Sequence, residues 1–104
     1  MTIVQIEANL AWRGSRTRGG RWVAVCEPLG LTVQSDTWGH LMEDIAETMN
    51  AMFTDLLKSG DLERFLRDRG WRTTGPIPVR KRDIWFDVPF RAETTDRDPA
   101  LALR

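Results

Sequence analysis

The amino-acid sequence predicts a single α+β domain: a three-stranded antiparallel meander, a long helix packed on the sheet, a short second helix and a final strand, in the order βββααβ. Three observations carry that expectation. Apolar and polar residues alternate over residues 2–12, the period of a strand with one buried face. Over residues 37–58 the apolar spacing changes to three and four, the mark of an amphipathic helix. The stretches that join the first strands, GSRTRGG and PLG, are short and rich in turn formers, so neighbouring strands run antiparallel.

In the first strand Val4, Ile6, Ala8, Leu10 and Trp12 share a face, with Gln5, Glu7 and Asn9 on the other. Residues 14–20 then read as a flexible, basic hairpin connection. Trp22–Cys26 is almost continuously apolar, which predicts a strand that is central or covered on both faces. Pro28, Leu29 and Gly30 signal a turn before a third strand over Leu31–Ser35, with Leu31 and Val33 inward. Thr37 is the expected N-cap of the long helix, with Asp36 just outside it near the positive end of the helix dipole. Leu41, Ile45, Met49, Met52 and Leu56 form the expected buried stripe, widened by Met42, Phe53 and Leu57, and Gly60 closes the helix. Asp61 opens a shorter helix that buries Leu62, Phe65 and Leu66 and stops at Gly70. The following WRTTGPIPVRKRD reads as a loop or arm. Ile84, Phe86, Val88 and Phe90 alternate with Trp85 and Asp87 as a last strand, which Pro89 confines to an edge or a frayed end. The domain is expected to span residues 1–92, and the polar residues 93–104 to be a disordered tail.

At 104 residues the chain is long enough for one modest core. Its 15 basic and 15 acidic residues cancel, which argues against a strong nonspecific nucleic-acid binder. One cysteine cannot make an internal disulfide. There is no basic segment followed by an apolar run at the N-terminus, and no stretch approaches the roughly 20 apolar residues a spanning helix needs. A soluble, cytoplasmic protein is the expectation, with no membrane partner.

Charge is not spread evenly. Between Trp22 and Leu57 stand Glu27, Asp36, Glu43, Asp44, Glu47 and Asp55, without one Lys or Arg. Convergent chemistry is harder to find. His40 has helical spacing to Glu43 and Asp44, but two or three ligands on an exposed first turn make a weak metal site. Cys26 has no identifiable partner and reads as a core residue, and the Gly-rich stretch lacks the spacing of a phosphate-binding loop. Neither a cofactor nor a catalytic residue is expected, and the chain reads as a non-enzyme.

Cys26, Pro28, Gly30, Thr32, Asp36, Thr37, Leu41, Glu43, Asp44 and Ile45, in their order of strand, small turn, strand and acidic helix start, resemble the HicB-like antitoxin family. The likeness covers residues 2–57 and, more loosely, the last strand. It implies a truncated ribonuclease H-like fold without the acidic metal cluster, since the first strand offers only Glu7. It also implies binding: such domains cover a small basic RNA-cleaving toxin, here a HicA-like protein, and assemble as homodimers or homotetramers. The acidic block suits that role, because complementary charge speeds and orients docking. Asp36, Glu43, Asp44 and Glu47 are the expected partner-binding residues. Many relatives append a DNA-binding module; none is recognisable here, so autorepression is not expected. The other readings left open are a self-associating or adaptor domain of this fold without a toxin, joined through the edge residues Ile84, Trp85, Phe86 and Val88, a nucleic-acid binder using the arginines of 13–21 and 80–82, and an enzyme.

Overall fold

A computed structural model describes residues 1–77 and 82–94 of the chain. The elements are β1 (Thr2–Glu7), β2 (Leu10–Arg16), β3 (Trp22–Cys26), a 3-10 turn (Glu27–Leu29), β4 (Leu31–Ser35), α1 (Trp38–Ser59), α2 (Leu62–Asp68), β5 (Arg72–Thr73), β6 (Ile84–Asp87) and β7 (Phe90–Thr94). The class is α+β. Among the described residues there are two helices, and in place of the four expected strands seven, in a sheet of three and a sheet of four. Contacts gather the chain into two compact units, one of Met1–Asn9 with Ala46–Pro89, the other of Leu10–Ile45 with the stretch from Phe90.

In the second of these units the strands lie in the order β4-β3-β2-β7. The meander is present, running antiparallel from β2 through β3 to β4, and β7 adds in parallel to the other edge of β2. The connection between β2 and β3 is shorter than expected, because Gly14, Ser15 and Arg16 continue the strand. Thr17 builds the reversal: its N–H donates to the Arg21 carbonyl at 2.8 Å, and its carbonyl accepts from Gly20 N–H at 3.0 Å. Such a short loop costs little closure entropy and fixes the register of both strands. The core here is Leu10, Trp12, Ala24, Cys26, Leu29 and Val33, joined by Leu41 and Ile45 from the start of α1. β3 is central, although its outer face, with Val23 and Val25, is only half-buried. Gly14 leaves room for an aromatic neighbour: a Cβ there would stand 3.0 Å from Cζ3 of Trp38.

In the first unit the order is β5-β1-β6, with β6 parallel and β5 antiparallel to β1. Val4, Ile6 and Phe86 from its strands, and Val88 just after β6, form the buried core with Met49, Phe53 and Leu57 of α1 and Leu62 and Leu66 of α2. Phe53 lies 5.9 Å from Phe65 edge-on and 6.0 Å from Phe86. Asn50 accepts a hydrogen bond from Phe86 N–H at 2.7 Å, satisfying a backbone group on a strand at the sheet edge. Glu7 pairs with Arg72 across β1 and β5, and its carboxylate raises the guanidinium further above an already high value.

Several expectations need correcting. The strand over residues 2–12 is two strands interrupted at Ala8 and Asn9, and the last strand is likewise divided at Val88 and Pro89. Proline lacks the N–H that a ladder needs, so pairing stops beside it and resumes at Phe90. Residues 72–73 are not loop but β5. Glu93 and Thr94 belong to β7 and not to a tail, while residues 95–104 lie outside the described residues, as do Arg80 and Lys81. The buried row of α1 is Leu41, Ile45, Met49, Phe53 and Leu57; Met42, Met52 and Leu56 are half-buried. Asp61 precedes α2 without capping it through its side chain, which instead accepts from Ser59 and Arg64. In α2, Phe65 is half-buried. Gly60 does close α1, with φ of 80° and a paired set of bonds, Gly60 N–H to Leu57 O and Asp61 N–H to Leu56 O.

Two measurements check this packing. Asn50→Leu leaves the Phe86 N–H without its partner and is expected to cost about 1–3 kcal/mol in urea unfolding. Burial pushes the Cys26 thiol above its ordinary value, outweighing the opposing effect of a hydrogen bond with the Leu29 backbone. The unfolded chain then loses that proton first, so stability falls as pH rises past about 8.5. Iodoacetamide at pH 8 should modify Cys26 rapidly in urea and very slowly in the native chain.

Candidate interaction surface

The start of α1 is set by Thr37, whose Oγ1 accepts from His40 N–H at 3.1 Å while its carbonyl accepts from Leu41 N–H at 2.9 Å. This is the expected N-cap, and it fixes which way the following acids project. The four expected partner-binding residues fall into two groups. Asp36 and Asp44 are used within the fold. The Asp36 carboxylate is 3.4 Å from Arg21 Nε, an exposed pair worth about 0–1 kcal/mol. The Asp44 carboxylate accepts from the hydroxyl of Ser35, a buried polar residue at the end of β4. Glu43 and Glu47, one helical turn apart on α1, are exposed and have no ion-pair partner among the described residues.

A second cluster escaped the reading of the sequence. Trp22 and Trp38 meet edge to face, centroids 4.9 Å apart at 70°, and the Arg16 guanidinium lies 5.5 Å from the Trp22 ring. The basic connection carries no aromatic of its own, but Arg16 and Trp22 are register partners on either side of it. Their meeting was therefore legible from the hairpin, since residues flanking a tight turn face one another. Trp38 joins them because Gly14 offers no side chain beneath its ring. Both indoles are half-buried, so the cluster extends the core more than it offers a stacking platform.

The edge residues also divide. β6 is an edge strand of its sheet, as expected of Ile84–Phe90. Phe86 and Val88, however, are buried at 1% and 5% exposure, leaving only Ile84 and Trp85 half-buried and accessible to another molecule. Their period-two alternation marks them equally well as core. His40 is exposed, and among the described residues no group of three or more His, Cys, Asp or Glu is placed to hold a metal ion. No helix among the described residues is long and apolar enough to cross a membrane. Chemically, the arrangement offers two carboxylates at fixed spacing on a helix, without an ion-pair partner among the described residues. A scan against family models, a search of curated proteins and a search of solved structures each found no match.

Ser35→Ala removes the donor to the Asp44 carboxylate and is expected to cost about 1–2 kcal/mol in chemical denaturation. A cost indistinguishable from zero would mean that water replaces the hydroxyl without loss.

Proposed function

We propose that this chain is a non-enzymatic, HicB-like antitoxin that binds and neutralises a small, basic, RNA-cleaving HicA-like toxin in the cytoplasm through the acidic side of α1. The observation that carries the reading is the state of Glu43 and Glu47. Both are exposed, a turn apart, and lack a cation within the described residues. Of the four acids, Asp36 and Asp44 have internal partners. Two carboxylates left without one repel each other weakly along the helix, a cost that a basic partner removes. The antiparallel meander followed by the long helix is compatible with the truncated ribonuclease H-like arrangement, although the parallel strands β6 and β7 add to it.

The second reading is a self-associating domain of the same kind without a toxin, supported by the open strands at the ends of both sheets. The two differ in what the chain does to a small basic protein encoded beside it. Under the first, the purified mixture forms a complex of fixed stoichiometry and its ribonuclease activity is masked.

Reversal at Asp44 would disturb the Ser35 bond as well as the surface, so the charge test is confined to the exposed pair. E43K/E47K is expected to weaken the complex by about tenfold or more with thermal stability unchanged. Unaltered affinity, measured by titration calorimetry at low salt, would sink the docking model.

A further inference from the structure

The two sheets end in four strands, and three of these carry features that discourage pairing with another chain. β7 contains Arg91 and Glu93 and follows Pro89. β6 ends in Asp87, and its Phe86 N–H is taken by Asn50. β5 is two residues long, with Arg72 held by Glu7. β4 has none of this. Its sequence LTVQS holds no charge and no proline, and its five residues pair with β3 on one side only. Among the described residues no backbone group of Leu31–Ser35 has a backbone partner beyond β3. Folded proteins blunt such edges with charge, proline or a cover, because an open neutral strand is a template for another.

We propose that β4 is the surface through which two copies of this chain associate, antiparallel about a two-fold axis at Val33, joining their four-stranded sheets. The occupant follows from the strand itself. With Val33 on the axis, Leu31 of one copy faces Ser35 of the other, and Thr32 faces Gln34. Every facing pair is uncharged, and Thr32 and Gln34 are exposed on the outer face where their side chains can meet across the axis. The nearest acid, Asp36, already pairs with Arg21, so the strand ends bring no net repulsion. An isologous contact of this kind closes on itself and does not propagate into a fibre. This assembly moves the self-association edge from β6 to β4 and does not depend on any toxin.

A five-residue strand pair buries less than the roughly 1,200 Å² of a firm interface, so the dimer should be concentration-dependent. The test is sedimentation equilibrium on the full chain from about 1 to about 500 μM. The wild type should pass from monomer to dimer over that range. T32K/Q34K places lysines opposite one another across the axis and should raise the dissociation constant about tenfold or more. T32K/Q34E sets lysine opposite glutamate and should restore dimerisation to near the wild-type level. Mixing T32K/Q34K with T32E/Q34E should give a heterodimer that neither forms alone, a readout that also shows both variants folded. A wild type that stays monomeric throughout would overturn the proposal and leave the edge to a segment of another protein. So would a dimer indifferent to T32K/Q34K, or one weakened equally by both lysine-containing doubles.

Discussion

One row of side chains on α1 supplies the core of both compact units. Leu41 and Ile45 close the core under the four-stranded sheet, while Met49, Phe53 and Leu57 close the core of the other unit. Each step along the row is four residues, so the stripe drifts slowly around the helix, a consequence of 3.6 residues per turn. Fully burying a side chain of this size is worth about 1.5–3 kcal/mol, so each of the five contributes substantially to the unit it faces. Side chains on the polar flanks of the same helix accept hydrogen bonds from strands of each unit, Asp44 from the Ser35 hydroxyl and Asn50 from Phe86 N–H.

That division of labour constrains where function can reside. The residues of α1 that face the sheets are committed to packing. On the flanks, Asp44 and Asn50 are committed to hydrogen bonding. What remains exposed is the outermost strip, which in its first half holds His40, Glu43 and Glu47. A surface assembled this way can change its charge without touching the core.

The meander and the long helix were readable because their signals are local: alternation, turn residues and a capping threonine all act over a few positions. Long-range pairings leave no such trace. Nothing in residues 2–12 announces that Thr2 will pair with Ile84 but Leu10 with Phe90, and the interruption at Ala8 follows from those two partners being separate strands. The choice of Phe53 over Met52 for the buried row is similar. Both fit a helical period, and the neighbours Phe65 and Phe86, distant in sequence, decide it. For the site, sequence gave the acids but not their internal partners. Ser35 ends β4 and Arg21 directly precedes β3, so the register of that strand pair determines which carboxylates are consumed.

The pairing of β2 with β7 has a consequence for how the chain is made. Leu10 waits for Phe90, and Thr2 for Ile84, so a long stretch of chain must be synthesised after β1 and β2 before they gain their parallel neighbours. Contacts of such sequence separation slow folding, because a long loop must close before they yield any stabilisation. During translation the meander of β2, β3 and β4 can assemble early with the start of α1, as a local, hairpin-built nucleus. β1 has no such option. β1 is therefore among the last of these strands to be satisfied, and a chain halted short of residue 84 would leave its β6 edge open.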